Sequence, residues 1–349
     1  MMNRNTLCIF GPHVGRHSGR VPSQGEILAE YFRKEGYDSI ISASNRANRF
    51  VRLFDINFTA LKNRKKINVV LAEVYGGRSF VVEDSLSLLC KWLKLPLVMT
   101  LHGGDMPRFM ARYPRWAHRV LSRADALTAP SYYLIEAVAK YGFQAHLIPN
   151  IINLANYPYR LRQSVTPRLF WMRSFHDIYH PEMAINVLVE LRKKYPEASL
   201  VMAGSDKGLQ EPMRQLANEL GIGHSVTFPG FLDMASKVQY GTECDFYLNT
   251  NRIDNMPVGV VEACAMGMIV VSTNVGGIPY LLTHKETGLL VPNGDVQAMT
   301  NAITRLIEDP KLAMKLSHNA LEVAQKSSWE CVRPQWENLI TEVLGSPDY

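Results

Sequence analysis

Short apolar strands alternate with amphipathic helices in both halves of a 349-residue chain, which predicts an α/β protein built from two doubly wound parallel sheets facing a cleft. Two further observations point the same way. Glycine-bearing loops follow several strands, where parallel sheets bring backbone close to ligands. The length is also enough for two separate cores.

In the first half, TLCIF at 6–10 reads as a buried strand, and GPHVGRHSGR follows it with glycines at 11, 15 and 19. That spacing is not GxGxxG, so a plain loop and a phosphate cradle fit it equally. Residues 23–35 carry Ile27, Leu28, Tyr31 and Phe32 on one face and end at Gly36, as a helix with a glycine stop does. Strands at 38–43 and 67–73 flank a polar helix bearing Arg46, Arg49 and Arg52. A helix at 85–95 leads to a buried strand at 97–101, which delivers His102-Gly103-Gly104-Asp105. A histidine at a strand's C-terminal end sits where parallel sheets place ligands, although a structural histidine is the commoner role.

The next stretch, MPRFMARYPRWAHRVLSRAD, spaces Arg108, Arg112, Arg115, Arg119 and Arg123 as one helical stripe with Phe109, Met110, Tyr113 and Trp116 nearby. Basic side chains beside interfacial aromatics suit an anionic membrane surface. Pro114 interrupts the stripe, and a solvated face is the plainer reading. A strand at 124–129, a helix at 132–141 capped by Ser131 and a strand at 145–148 close this half.

The second half opens with a strand at 168–172 that presents Arg173 at its C-terminal end, followed by a helix at 181–195. A guanidinium there can grip phosphate oxygens in bidentate fashion. The strand at 199–203 leads to GSDKG, whose Lys207 is a possible phosphate cation. Alternation continues through 210–220, 225–228 and 245–249. Then comes NMPVGVVEACAMGMIVVSTNVGG, preceded by Asp254. Pro257 suits a first helical turn, 258–266 is helical, Gly267 fits a left-handed cap and 268–273 is a buried strand. The helix start offers amides and a positive dipole end to an anion. Asp254 before it and Glu262 within it can flank that anion and hold neighbouring hydroxyls. Phosphate between two polyols describes a sugar nucleotide. Capping and an ordinary helix glutamate are the bland alternative. Helices at 295–307, 310–325 and 329–344 finish the chain, with Trp329 and Trp336 as packing anchors.

Asp254 and Glu262 with seven residues between them, then VEACAMG, a strand and GG, resemble the signature of family-four retaining glycosyltransferases of the GT-B fold, which has two Rossmann-like domains. IPYLLTHKETGLLVPNGD resembles the segment that follows in that family. The resemblance implies metal-independent transfer of a sugar from a nucleotide-diphosphate donor to an acceptor hydroxyl, with retention and no cofactor. It implies that Glu262 holds the ribose and Asp254 the sugar hydroxyls, while amides around Asn255, Met256, Pro257 and Val258 meet phosphate and sugar. Arg173 would stabilise the departing diphosphate, and His102 would face the sugar. His13, Gly15 and Arg16 would lie near the diphosphate. It implies an acceptor-side domain over 1–160, a nucleotide-sugar domain over 161–328 and a final helix at 329–349 crossing back to the first. Two departures stand out: aspartate replaces the usual glutamate at 254, and no lysine follows Arg173. Protonated His176 or His180 would be the substitute, and a non-catalytic sugar-nucleotide-binding protein is the alternative.

A net charge of +6 and pI near 9.0 favour acidic partners without choosing among them. The apolar stretch at 86–101 is interrupted by Lys91 and Lys94, so no membrane span is expected. Five scattered cysteines suggest reduced thiols in a cytosol, with peripheral membrane contact as an addition. No nucleic-acid module and no metal motif are present. A glycan or lipid-linked acceptor in cell-envelope polysaccharide assembly is the family-level expectation.

Overall fold

The computed structural model describes residues 5–11, 22–42, 49–77 and 79–345. His13, Gly15, Arg16 and Arg46 lie outside them. The chain divides into two compact units, 1–151 with 329–349, and 152–328.

The first unit is a six-stranded parallel sheet of β1 (Thr6–Phe10), β2 (Asp38–Ser42), β3 (Val69–Val74), β4 (Leu97–Leu101), β5 (Ala126–Ala129) and β6 (His146–Leu147), in the order β2-β1-β3-β4-β5-β6. Its helices are α1 (Gln24–Lys34), α2 (Arg49–Asn63), α3 (Phe80–Leu93), α4 (Met106–Arg112), α5 (Pro114–Leu121) and α6 (Tyr132–Ala139). Strand residues alternate between two cores because successive side chains point to opposite faces. Cys8, Val70, Ala72, Leu97 and Met99 pack with the helices α2 to α6. Leu7, Ile9, Val69, Leu71 and Val98 pack with α1 and the chain's last helix. β1 lies between β2 and β3, so the chain reverses direction at the β1/β3 boundary.

Three expectations change here. The arginine stripe is broken at Tyr113 into α4 and α5. Arg119 and Arg123 each lie 2.6 Å from Asp84 of α3, and the Trp116 indole donates to the same carboxylate at 2.7 Å. Two arginines of the supposed surface stripe, and the tryptophan beside it, are thus tied to a neighbouring helix. Helix α3 also starts five residues earlier than expected, because the strand-like run FVV is helical. Ser131 occupies the N-cap position of α6, but its side chain makes no cap hydrogen bond.

The second unit repeats the architecture with β7 (Arg168–Met172), β8 (Ser199–Ala203), β9 (Val226–Gly230), β10 (Phe246–Asn249), β11 (Ile269–Thr273) and β12 (Leu289–Val291), ordered β12-β11-β10-β7-β8-β9. Its helices are α7 (Pro181–Arg192), α8 (Gln210–Glu219), α9 (Met234–Glu243), α10 (Val258–Ala265), α11 (Ile278–Leu281), α12 (Val296–Glu308) and α13 (Pro310–Gln325). Every pairing is parallel. β7 separates β8 and β9 from β10, β11 and β12, so the β7/β10 boundary is this sheet's switch point.

The last helix, α14 (Trp329–Leu344), belongs to the first unit. Trp329 stacks on Tyr31 at 4.9 Å, meets Phe32 edge-on at 5.3 Å and donates to Glu35 at 3.1 Å. Arg333 adds an ion pair to Glu35 at 2.5 Å.

Arg162 carries weight that its sequence context hides. Its side chain is fully buried and donates to the carbonyls of Arg160 at 2.7 Å, Gly241 at 2.5 Å and Cys244 at 3.0 Å, and to that of Met266. It therefore ties the ends of α9 and α10 together. Arg162→Ala is expected to lower the second unit's stability by about 3–5 kcal/mol in urea titration, since four buried carbonyls and Asp245 lose a charged partner. An effect below about 1 kcal/mol would contradict this role.

Glu73 on β3 and Glu83 on α3 are buried acids whose second carboxylate oxygens have no hydrogen-bond partner among the described residues. Burial pushes Glu73 up to about 7 and Glu83 up to about 8. The folded chain thus holds protons that the unfolded chain releases above about 4.3, so both acids lower stability as pH rises from about 4.5 to about 8. Thermal melts should show a double Glu73→Gln, Glu83→Gln variant gaining on the wild type across that range, and a constant gap would contradict the assignment.

Candidate functional site

At the second sheet's switch point, β7 hands the chain to Arg173, whose N–H donates to Ala203 O at 3.0 Å. Gly204, at φ +145°, lies against that backbone: a Cβ there would sit 1.9 Å from Arg173 O. β10 leads into a loop fixed on both sides. Thr250 donates to Tyr179 O at 2.7 Å, and Thr273 donates to Asn251 O at 2.7 Å. The paired glycines after β11 meet this loop backbone to backbone. A Cβ at Gly276 would fall 2.1 Å from Asp254 O, and one at Gly277 would fall 1.8 Å from Asn255 O. Only glycines allow that approach.

The loop presents Asp254 to Arg173. The guanidinium Nη2 donates to Asp254 Oδ2 at 2.5 Å, and its Cζ lies 4.2 Å from the Tyr179 ring centroid. The Asn251 side chain donates to the same Oδ2 at 2.5 Å. Burial works against the charged guanidinium, but Asp254, Tyr179, Tyr247 and Glu262 outweigh it and hold its pKa above the ordinary value. Arg173 Nε, also buried, has no hydrogen-bond partner among the described residues. Residues expected to act separately thus form one ion pair, with an N–H to spare.

Glu262 stands within α10, where every residue from Gly259 to Ala265 is buried. Tyr157 donates to its Oε1 at 2.7 Å, and Lys237 of α9 donates to the same oxygen at 2.6 Å. Both partners converge on Oε1. Neither was expected from the sequence, which signals only that a carboxylate in an apolar helix must be paired. Asn251 and Tyr179 are further members without a sequence signal of their own.

The other expected residues divide. Asn255 and Met256 are buried beside the loop. Asn255 gives its N–H to Asp254 Oδ1 at 2.8 Å, and Pro257, having no N–H, is the N-cap ahead of Val258. His180 caps α7 in a left-handed conformation. Burial and Arg252 push its pKa down, so the proposed protonated substitute for lysine starts from a neutral ring. His176 accepts from the Ile178 N–H at 3.2 Å, as a cap. Lys207 is exposed on the turn after β8, which Asp206 closes by accepting from Gly208 N–H at 2.7 Å. His102 is in the first unit, its Nε2 3.8 Å from Glu73 Oε1 and its ring stacked on Tyr75. Burial pushes it down to about 4, which keeps the ring neutral.

The family described as Glycosyl transferases group 1 matches residues 167–323, and Glycosyltransferase Family 4 matches residues 79–156. An uncharacterised glycosyltransferase of Haemophilus influenzae is 28% identical over 342 residues, covering 90% of this chain and 94% of its own. A GDP-mannose-dependent alpha-(1-6)-phosphatidylinositol monomannoside mannosyltransferase of Mycobacterium tuberculosis is 25% identical over 280 residues, 77% of this chain and 69% of its own. A D-inositol 3-phosphate glycosyltransferase of Corynebacterium efficiens matches at 27% over 46% of this chain and 39% of its own. Among solved structures, sucrose-phosphate synthase of Thermosynechococcus elongatus superposes with a TM-score of 0.78 at 18% identity, over 97% of this chain and 99% of the other. Anabaena HepE in complex with UDP and glucose does so with 0.77 at 17%, over 97% and 100%. These structures share the GT-B fold. With one matched family on each unit and relatives along most of its length, the chain belongs to the group 1, family 4 glycosyltransferases.

Proposed function

We propose that the protein transfers a hexosyl group from a nucleotide-diphosphate sugar to an acceptor hydroxyl, with retention at the anomeric carbon and without a metal ion. The observation that carries this reading is the joint placement of Arg173, Asp254 and Glu262 at one sheet's switch point. Relatives named for GDP-mannose and a fold neighbour solved with UDP and glucose support a sugar-nucleotide donor. The relative named for phosphatidylinositol monomannoside supports a glycan or lipid-linked acceptor.

In this reading, Asp254, Asn251 and Tyr179 hold the guanidinium of Arg173 in place before the donor arrives. Its Nε–H and remaining charge then meet the diphosphate as negative charge develops on the leaving phosphate. Lys237 and Tyr157 clamp Glu262 through Oε1, so Oε2 keeps its lone pairs for the ribose diol. His102 contributes a neutral ring toward the sugar. Contact with an anionic membrane would rest on Arg112 and Arg115, since Asp84 holds Arg119 and Arg123. One feature favours a second reading, a non-catalytic sugar-nucleotide-binding protein. Lys207 is exposed and Lys237 is committed to Glu262, so among the described residues neither of these lysines pairs with the Arg173 site in place of the missing one.

The two readings separate on turnover. With UDP-, GDP- and ADP-sugars, EDTA and a mixed sugar and lipid extract as acceptor, the wild type should release one nucleotide and Asp254→Ala should not. Tight binding without release would select the non-catalytic reading, and no binding would reject both.

Glu262→Gln is expected to weaken nucleotide binding by about 10- to 150-fold, the loss of a charged hydrogen bond. Because that variant leaves Lys237 buried without its carboxylate, Glu262→Gln with Lys237→Met should recover the melting temperature but not the affinity. Calorimetric titration with UDP and GDP checks both, and unchanged affinity would remove Glu262 from the site.

A further inference from the structure

The first sheet has its own switch point, and a pocket lies there. It sits between the C-terminal ends of β1 and β3, under the start of α1, and has a volume of about 30 Å³, room for one water-sized group. Glu73 and Thr100 line it with half-buried Gln24, His102 and Asn150, and apolar side chains such as Leu28 and Trp336 make up the rest.

Glu73 is 4% exposed, and its two carboxylate oxygens have different surroundings. Oε1 accepts from the Gly25 N–H at the start of α1 at 2.6 Å and lies 3.8 Å from His102 Nε2. Oε2 has no hydrogen-bond partner among the described residues. It lies against Gly11 at the end of β1, where a Cβ would come within 2.1 Å of it. The strand end therefore has to be glycine for the carboxylate to occupy this place. A buried carboxylate oxygen without a donor is costly unless something supplies one. The ends of parallel strands at a switch point are where such folds take ligands.

We propose that this pocket is a subsite for one hydroxyl of a polyhydroxylated acceptor, held by donation of its O–H to Glu73 Oε2. The subsite rests on the transferase reading above and adds to it the residue that orients the acceptor. The binding step moves no proton: the hydroxyl donates to Oε2 while Gly25 continues to donate to Oε1. Five neighbours surround the carboxylate. Glu26 of α1 disfavours it, the Gly25 N–H and Ser23 hydroxyl favour it, and Tyr75 and His102 are neutral neighbours at neutral pH. Burial outweighs the favourable contacts, so Glu73 changes charge near pH 7 and the acceptor should bind better above that value.

Glu73→Gln is a sharp test because its orientation is dictated. The Gly25 N–H requires the amide oxygen, which puts the amide NH₂ at the position of Oε2 and replaces an acceptor with a donor. Nucleotide release from the donor that the wild type turns over would be measured against rising glycerol and methyl α-D-glucopyranoside as hydroxyl probes. The wild type should half-saturate at lower probe concentration at pH 8 than at pH 6. Glu73→Gln should need at least tenfold more probe at pH 8 and show no pH dependence, while its affinity for the free nucleotide stays within twofold of wild type. Its melting temperature should be equal or higher, because a buried charge is removed. Equal probe dependence in the two proteins would overturn the subsite and leave the transferase reading standing, as would weaker probe binding matched by equal loss of nucleotide affinity. A wild type that turns over no donor, with or without probe, would remove the transferase reading and the subsite with it.

Discussion

A guanidinium and a carboxylate meet 2.5 Å apart across the ends of two neighbouring strands, and the second unit is arranged to keep them there. Neither could hold that position alone. Arg173 projects from β7 because Gly204 lets the adjacent turn pass under its carbonyl. Asp254 projects from the loop after β10 because Gly276 and Gly277 let the next loop pack directly on its backbone. The buried pair has little intrinsic value for stability, since desolvation offsets the attraction. In the proposed function its value is positional: the charge is held where a diphosphate would need it, with an Nε–H that has no partner among the described residues.

Both units follow one structural rule with different chemistry. Each sheet reverses direction once, and a buried acid lies near each reversal, Glu73 against the start of α1 and Glu262 within α10. In the second unit the acid Glu262 is clamped on one oxygen by a lysine and a tyrosine, the arrangement proposed to hold the ribose hydroxyls. In the first unit Glu73 has, among the described residues, only backbone and hydroxyl donors, and burial raises its pKa to about 7. One carboxylate is held by a buried cation, and the other takes its charge from the pH.

Much of this was legible in the sequence, for reasons that can be named. Strand and helix periodicity gave the alternation, and the glycine pair and Gly267 marked the turns, because those positions need the freedom of glycine. Asp254, Glu262 and Arg173 were legible because each stands next to such a marker or at a strand end. Lys237 and Tyr157 were not: each meets Glu262 only through tertiary packing, from 25 and 105 residues away. Arg162 was invisible for the same reason, since its partners are backbone carbonyls. The arginine stripe misled because spacing cannot show that Asp84 lies beside it. The start of α3 misled because Phe-Val-Val favours a strand until the core claims one face of it.

The central claim is that the second unit's switch point holds the donor, with Arg173 on the diphosphate and Glu262 on the ribose. A crystal structure of the protein with UDP or GDP tests it most directly. The account expects a phosphate oxygen within hydrogen-bond distance of the Arg173 guanidinium, and both ribose hydroxyls at Glu262. A nucleotide bound in that unit with its phosphates on Lys207 and away from Arg173, or bound elsewhere, would contradict it.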